Sequence, residues 1–413
     1  MSEPVVKTQA CYPRDVERAG ELDLHSGRMV LNWGPSHPAT HGTLRIIVEL
    51  EGETIARCDT EIGYLHRGKE KLAEEWTYNK CVNIFERMNY CSTMINACAW
   101  HQACEKLFGI TIPERAVYLR TILSEISRIA DHMTCIGPNC VDIGALTPFW
   151  YTWDIREQAY DILEFVTGAR MMHTFTRLGG MLADVPEGFA ERTSRFLPEV
   201  LRVMNELDGL LAKNRIFCER TRGVGALTAE EALSYGWTGP CLRACGVAHD
   251  LRVARPYLAY KDLDFDVPVG EHGDTYDRIF VRIEECRQSV RIIEQALDNL
   301  PGGPVLVDEP HLVLPPKPVV YEQMEGLIHH FKLVIDGPQA PAGAMVYDAS
   351  EGGNGELGFM VVSDGSGKPY RVAVRSPCFY IFSALPRLVV GSLLPDLSAT
   401  LASLNIIAGE LDK

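Results

Sequence analysis

The sequence predicts a helix-rich α+β fold, with a β-rich N-terminal part and a small β-rich element near the C-terminus. Three features of the chain lead to this prediction. Residues 43–50 alternate between polar and apolar side chains, which is typical of a strand with one buried face. From about residue 70 to residue 299, apolar residues instead recur at helical spacing. A second β-like run follows at residues 359–363.

The first part of the chain divides into an arm and the start of a domain. Residues 1–26 are polar and are predicted to form an N-terminal arm, and residues 27–413 are predicted to form one domain. From Met29 to Cys58 the pattern indicates two or three short strands, with a hairpin turn at residues 51–53. Within residues 62–71, charged residues and a histidine then crowd around Gly68, a glycine that suits a turn with positive φ.

A long helix is predicted from Ile112 to about His132, because Pro113 suits a first helical turn and apolar residues follow at helical spacing. Glu125, Arg128 and His132 share one flank of this helix. The pattern alone favours an exposed ladder of ion pairs there, with a buried polar network as the alternative. Further segments are predicted as helices at 154–173, 188–213, 228–235, 274–299 and 321–333, and as a proline-rich wrapping loop at 306–320.

Composition excludes several classes of function. The formal net charge of −15 argues against binding to nucleic acid or to anionic lipid through charge. The first residues lack a secretory signal, and no stretch reaches the roughly 18 apolar residues of a membrane-spanning helix. We therefore expect a chain that is soluble or that reaches a membrane only through partners. The 13 cysteines form no CxxC pair, so we expect reduced, mostly buried thiols and no metal site.

One glycine motif is interpreted as a false positive. Residues 353–358 match GxGxxG, but a dinucleotide-binding fingerprint needs a helix after it. Here a β-like run follows, and then a turn at residues 364–367, so the segment is predicted to be part of a hairpin. The chain is therefore not expected to bind NAD itself. A Walker A loop is also absent from the sequence.

The most informative stretch is residues 32–45, where His37 and His41 lie four residues apart with Pro38 between them. Proline at that point argues against a helix interior, so both histidines are predicted to lie on a rigid loop before a strand. Such loops often carry functional residues. Spacing alone leaves open whether these histidines are functional or structural.

Several motifs together make the chain resemble the 49 kDa family of respiratory complex I, its D-type subunit, which is related to the large subunit of nickel–iron hydrogenases. The resemblance spans residues 27–413 in order. The matching segments are GPSHPATHG at 34–42, GYLHRGKEK at 63–71, and residues 115–132, 142–149, 228–233, 265–270, 363–366 and 369–371. The resemblance implies a hydrogenase-large-subunit-like core.

The same resemblance excludes hydrogenase activity on chemical grounds. Hydrogenases hold their metals with RxCGxC and DPCxxC motifs, which correspond here to RMNYCS at 87–92 and SPCFYI at 376–381. Of the four thiolate positions only Cys378 remains. One thiolate cannot hold a centre of two soft metals, which needs several sulfur ligands.

The resemblance implies a quinone pocket in place of the metals. The quinone head-group is expected between His41 and Tyr90, whose N–H and O–H groups can donate to its two carbonyl oxygens and supply protons. Asp142 is expected to accept from the other nitrogen of His41, and His37 to support the shape of the loop. For Tyr90 taken alone, a core tyrosine is the alternative.

The resemblance also indicates where electrons enter. Arg67 and Arg170 match residues that lie near the terminal iron–sulfur cluster of a neighbouring subunit, where a fixed cation would raise the potential of the cluster. Many family members carry histidine directly after the Arg-Met of the second segment. Here Met172 follows, and His173 is displaced by one position, so redox-linked protonation at the cluster is expected to be weakened or rerouted.

The function implied is that of the quinone-site subunit of a proton-translocating NADH:quinone oxidoreductase. Quinone is then the substrate, and FMN and the iron–sulfur clusters belong to partner subunits. The expected partners include the small subunit with the terminal 4Fe-4S cluster and the membrane subunit at the quinone entrance, on the cytoplasmic side of the cell inner membrane. Because residues 385–392 diverge from the family pattern, the alternative is a scaffold paralogue in a related complex driven by ferredoxin or another donor.

Overall fold

The computed structural model describes residues 28–413, and the arm predicted at residues 1–26 lies outside the described residues. The described chain starts with a three-stranded antiparallel sheet in the order β1-β2-β3. These strands are β1 (Arg28–Trp33), β2 (Arg45–Glu51) and β3 (Thr54–Glu61). Glu51 pairs with Thr54, which confirms the predicted hairpin turn. Gly68 has a φ of +59°, so the expected positive φ is also confirmed.

Helices dominate the middle of the chain, and two short strands, β4 (Thr176–Arg177) and β5 (Gly180–Met181), interrupt them. The helices up to these strands are α1 (Lys69–Glu75), α2 (Tyr78–Phe85), α3 (Thr93–Phe108), α4 (Glu114–Asp142) and α5 (Leu146–Thr167). Those that follow are α6 (Phe189–Leu211), α7 (Arg215–Thr221), α8 (Ala229–Ser234), α9 (Gly239–Ala244), α10 (Leu251–Ala254), α11 (Thr275–Asp298), α12 (Lys317–Glu322) and α13 (Met324–Ile335).

The last part of the described chain combines a sheet with four helices. The sheet is antiparallel in the order β6-β7-β8, formed by β6 (Met345–Glu351), β7 (Glu356–Val362) and β8 (Arg371–Arg375). The helices are α14 (Pro377–Ser383), α15 (Leu385–Val389), α16 (Leu394–Leu404) and α17 (Ala408–Leu411). The predicted helix-rich α+β class, with a sheet near each end, is confirmed.

The GxGxxG segment lies at the connection between β6 and β7, and a strand follows it. The predicted hairpin is therefore confirmed, because β7 turns back to pair with β8 after residues 364–367. A dinucleotide-binding helix does not follow the glycines.

Helix α4 lies at the centre of the molecule and contacts α3, α5, α11 and α16. Its apolar residues form one core with α5, α6 and α11. A second core joins the N-terminal sheet to α8, α9 and the last helices. A third core packs α2 and α3 against the C-terminal sheet. Elements from distant parts of the sequence therefore meet around α4.

The predicted helix limits were partly wrong. The predictions at 188–213, 228–235 and 274–299 match α6, α8 and α11 closely. Helix α4 continues beyond His132 to Asp142 and accommodates Pro138. Helix α5 starts at Leu146, with Pro148 in its first turn, and ends before Gly168, whose φ of +77° caps it. The wrapping loop is shorter than predicted, because α12 already starts within it and a second helix, α13, follows.

The described residues also test the expectations about membrane-spanning helices and about the cysteines. Within residues 28–413, no helix has both the length and the hydropathy needed to cross a bilayer. Every described cysteine is a free thiol, and all except Cys218 are buried. The prediction of mostly buried thiols is confirmed for this part of the chain.

Candidate functional site

The loop that carries both histidines lies between β1 and β2 and is held by local hydrogen bonds. Pro38–Thr40 form one 3₁₀ turn, and the Nδ1 of His37 accepts from the backbone N–H of Ala39 at 3.2 Å. The His37 ring also lies 4.1 Å from the ring of Trp33. The turn ends at His41, which is exposed and has a φ of +51°. The loop therefore turns His37 inward and His41 outward.

Tyr90 lies on a second loop, between α2 and α3. The residue is 41% exposed, and its partly buried surroundings raise the pKa of its hydroxyl to about 12. The preceding residue, Asn89, is fully buried and fixes this loop. Its Oδ1 accepts from the backbone N–H groups of Cys91 and Ser92, at 3.0 and 3.3 Å.

The two loops lie on the same part of the core. Ala39 from the histidine loop, Cys91 from the tyrosine loop and Cys378 at the start of α14 belong to one cluster of buried apolar side chains. Both loops therefore rest on the same apolar cluster, and His41 and Tyr90 are both exposed on the surface of this chain. Neither residue lines the cavity of about 470 Å³ that lies between α2, the residue 306–314 segment and α13.

Asp142 is the last residue of α4 and is half-buried. Burial raises the pKa of its carboxyl group to about 6. Within residues 28–413, no hydrogen bond joins Asp142 to His41. The helix thus delivers a carboxyl group that exchanges a proton near neutral pH, without a direct contact to the histidine loop.

Beneath Tyr90, four buried polar residues form what we call the buried amide chain: Asn89, Asp131, Asn405 and Asn354. The side-chain amide of Asn89 donates to Asp131 at 2.9 Å. The amide of Asn405 donates to Asp131 at 3.2 Å and to Asn354 at 2.6 Å. Sequence reasoning missed this chain, because its members come from four separate segments.

The buried amide chain ends at the surviving cysteine. Asn354 donates to Sγ of Cys378 at 3.4 Å, and the Cys378 thiol donates to Oε2 of Glu410 at 2.9 Å. Burial raises the pKa of the Glu410 carboxyl to about 7. Among residues 28–413, no three His, Cys, Asp or Glu side chains converge as metal ligands. The donors at this position are thus amides, a thiol and a carboxyl that bind one another, which does not fit a nickel–iron centre.

Arg67 is exposed on the loop that precedes α1, and the last residues of the chain fix this loop. The Asp412 carboxylate accepts from the backbone N–H groups of Gly63 and Leu65, at 2.9 and 2.7 Å. The backbone of Gly409 packs so closely on the loop before Tyr90 that an added Cβ would lie 2.5 Å from the carbonyl oxygen of Met88. The same tail therefore touches both loops.

Arg170 lies after α5, on the side of the molecule near Tyr160. Its guanidinium pairs with Glu157 at 2.5 Å and lies 5.6 Å from the Tyr160 ring. Met172 has a φ of +58°. His173 is buried, contacts Thr93 at 2.6 Å, and has its pKa lowered to about 4 by burial. His173 is therefore neutral at physiological pH.

The expected exposed ladder on the long helix was wrong. Glu125, Arg128 and His132 are all fully buried. Arg128 donates to Glu125 at 3.1 Å, and the Nε2 of His132 lies 2.7 Å from the Glu285 carboxylate. Arg252 also contacts Glu125, at 3.3 Å. Burial alone would raise the pKa of Glu125, but these two guanidinium groups hold it at about 2.

These residues belong to a larger group that we call the buried ion network. Its members are Glu125, Arg128, His132, Arg243, Asp250, Arg252, Glu285 and Glu351. Arg243 bridges the network, because it donates to Glu285 at 2.7 Å and to Glu351 at 2.8 Å. Burial and the neighbouring Asp250 carboxylate raise the pKa of Glu351. A spacing pattern cannot reveal this network, since most partners lie more than a hundred residues from α4.

Comparison with known proteins agrees with the motifs around the histidines. A family model described as "Respiratory-chain NADH dehydrogenase, 49 Kd subunit" matches residues 142–413. The D subunit of NADH-quinone oxidoreductase from Myxococcus xanthus is 51% identical over 395 residues, which cover 95% of each chain. The D 1 subunit from Sorangium cellulosum is 50% identical over 97% of this chain and 98% of that one. The longer C/D subunit from Bdellovibrio bacteriovorus is 50% identical over 94% of this chain and 70% of its own length. The chain therefore belongs to the family of the 49 kDa subunit of respiratory-chain NADH dehydrogenase.

Proposed function

We propose that this chain is the quinone-binding subunit of a proton-translocating NADH:quinone oxidoreductase. One observation carries the proposal: Ala39 in the loop of His41 and Cys91 next to Tyr90 belong to one buried apolar cluster, and Asn89, which precedes Tyr90, begins the buried amide chain. By the motif resemblance, Asn89 and Cys378 of this chain correspond to positions where hydrogenases hold their metals. The names of the relatives, which are NADH-quinone oxidoreductase subunits, support the same function.

The side chains suit quinone chemistry. A quinone has a carbonyl acceptor on each side of its ring, and the imidazole of His41 and the phenol of Tyr90 can each donate to one of them. Reduction to quinol takes two electrons and two protons, and these two groups can supply the protons. Asp142 would then accept from the second nitrogen of His41 and stabilise its charged form. Its raised pKa, about 6, suits a group that exchanges protons with an imidazole.

Electrons would come from an iron–sulfur cluster in a neighbouring subunit. Arg67 and Arg170 are both exposed, so both are available to face that subunit. A nearby cation stabilises the reduced, more negative cluster and raises its potential. His173 is buried and neutral, so it does not replace the histidine that many family members carry at the position of Met172.

The remaining walls of the quinone pocket would come from partners. His41 and Tyr90 are exposed in this chain, whereas a bound ligand is usually enclosed on most sides. We assign the missing walls to the small subunit with the terminal 4Fe-4S cluster and to a membrane subunit at the quinone entrance. The relative whose name joins C and D supports a C-type subunit as a further neighbour. This chain would then lie on the cytoplasmic side of the inner membrane, attached through its partners.

Replacement of Tyr90 by phenylalanine tests the proposal. The variant keeps the ring but loses the O–H that donates to the quinone, so quinone reduction should fall by roughly 10²-fold or more. Assembly, and NADH oxidation with an artificial acceptor that takes electrons before the quinone, should be unchanged. Tyr370→Phe is the matched control, since that residue is 66% exposed. Quinone reduction at the wild-type rate in the Tyr90 variant would refute the proposal.

A further inference from the structure

A stripe of polar side chains lies on one face of α4, inside the protein. Residues three and four positions apart share a helix face. The stripe consists of Glu125, Arg128, His132, Cys135, Asn139 and Asp142. All but Asp142 are buried, and Asp142 is half-buried at the end of the helix. The stripe therefore runs from the buried ion network to the carboxyl group assigned above to the quinone site.

The first half of the stripe is satisfied by protein groups. Glu125 accepts from Arg128 at 3.1 Å and from the hydroxyl groups of Tyr260 and Ser289, at 2.6 Å each. The contact between Nε2 of His132 and Glu285 assigns the N–H of the neutral imidazole to Nε2. Its Nδ1 is then an acceptor with a free lone pair.

The second half of the stripe is only partly satisfied by protein groups. The Cys135 thiol donates to the backbone carbonyl of Ala402 at 3.9 Å. Among residues 28–413, the Nδ1 of His132 has no hydrogen-bond partner, and neither has either polar side-chain atom of Asn139. Both residues are fully buried. An unpaired buried polar group destabilises the fold, and buried polar groups of this kind are normally bound to internal water.

We propose that this half of the stripe binds a short file of internal water, which carries a proton between Asp142 and the His132–Glu285 pair. The proposal rests on the proposed function, because that function brings Asp142 into the quinone site. From His132 to Asp142 the helix rises roughly 15 Å, so several water molecules span the distance.

Other elements supply the walls of the path. Helix α11 places Arg282 and Glu285 near His132, and α9 contributes Cys241, whose Sγ accepts from Arg282 at 3.5 Å. Asp131 lies beside His132 on α4 itself. The charges around the imidazole are thus one guanidinium and two carboxylates, and burial lowers the pKa of His132 despite the carboxylates. The imidazole is therefore neutral at rest, and it holds an arriving proton only briefly, beside the negative charge of Glu285.

The proton movement leaves the total charge unchanged. Asp142 gives its proton to the first water while the last water gives a proton to Nδ1, which leaves a carboxylate at Asp142 and an imidazolium beside Glu285. When quinone reduction takes a proton from His41, the stored proton returns along the file to Asp142, and Asp142 passes it to His41. The store then refills from solvent through the exposed end of the helix.

Asn139→Leu tests the path, because leucine fills a similar volume and binds no water. In the assembled complex we expect kcat for quinone reduction to fall about tenfold, less than for loss of a group that itself transfers the proton. KM for quinone should not change, and the ratio of rates in H₂O and D₂O should increase. Asn139→Ser should restore most of the rate, because serine binds water. Cys140→Ala is the control, since Cys140 faces the apolar core. A wild-type rate and isotope ratio in Asn139→Leu would overturn the proposal.

A second measurement separates this proposal from the proposed function. An experimental map of the wild-type complex that resolves ordered water should contain water bound to Asn139 and to Nδ1 of His132. If the map shows no water there and both groups are paired to protein atoms, the water path is overturned, whether or not this chain binds quinone. Conversely, wild-type turnover in Tyr90→Phe together with ordered water at Asn139 would refute the quinone site and leave the hydrated stripe intact.

Discussion

The side-chain amide of Asn89 donates to the carboxylate of Asp131 at 2.9 Å, and this carboxylate is fully buried. Because Asn405 donates to the same carboxylate, Asp131 is satisfied by neutral donors. These three side chains form a hydrogen-bonded floor beneath Tyr90.

Gly353→Ala should disturb this floor. An added Cβ at Gly353 would lie 1.8 Å from Oδ2 of Asp131, so the carboxylate would have to move away from Asn89. We expect a loss of about 1–3 kcal/mol in the free energy of unfolding, as for other overpacked cores. Denaturant unfolding of the purified chain measures it. The control is Gly209→Ala in α6, where no atom lies within 4 Å of the new Cβ and a slight gain is expected. If Gly353→Ala and Gly209→Ala change the free energy of unfolding equally, the hydrogen bonds of Asp131 tolerate displacement and the prediction is wrong.

Glu410→Gln should change how stability depends on pH. The folded protein holds the Glu410 proton up to about pH 7, whereas the carboxyl group of the unfolded chain loses its proton near 4.5. Raising the pH between these values therefore favours unfolding of the wild type, and glutamine has no proton to lose. Relative to the wild type, the variant should gain up to about 3 kcal/mol between about pH 5 and about pH 8.

Unfolding free energies measured at several pH values test this expectation. Asp142 contributes with the same sign, because burial raises its pKa to about 6, but it does so equally in both proteins. His173 has the opposite sign, since its pKa is lowered to about 4, and it also cancels in the difference. The exposed Glu294→Gln is the control. If the difference in unfolding free energy between the wild type and Glu410→Gln stays constant with pH, the assignment of the proton to Glu410 is contradicted.

Met172→His should restore a link between protonation and the electron donor. Met172 has a φ of +58°, a conformation that histidine adopts more readily than most residues. In the assembled complex, the potential of the neighbouring iron–sulfur cluster should become more dependent on pH, with a limit of about 59 mV per pH unit. Redox titration of the cluster signal at several pH values measures this slope. His173→Gln is the matched comparison and should leave the slope unchanged, because His173 is already neutral.

The sequence predicted most of the fold, because its elements carry local signals. The hairpin at residues 51–53 follows from alternation and a turn residue, and α11 follows from helical periodicity. The end of α5 was missed although Gly168 marked it as a left-handed cap. The early start of that helix was missed because Pro148 stands in its first turn, where proline is compatible with a helix.

The site was less accessible from the sequence. Family motifs pointed to His41 and Tyr90, and the structure sets both loops on a shared core. The motifs did not reveal that Arg128 and Glu125 are buried, since the helical pattern of a charged flank is the same in either case. Only distant partners, such as Arg252 and Glu285, distinguish a buried network from an exposed one.

The two long-range bonds of Arg128 have a consequence for synthesis of the chain. Its guanidinium donates to the backbone carbonyl groups of Glu351 and Gly352, which lie 223 and 224 residues later. A ribosome that has just released α4 has yet to make these acceptors, so the nascent helix exposes its apolar face and a guanidinium whose only available partner is Glu125. The centre of the protein therefore cannot close until residues 351 and 352 have emerged, and chaperones that hold incomplete chains should bind this subunit until then.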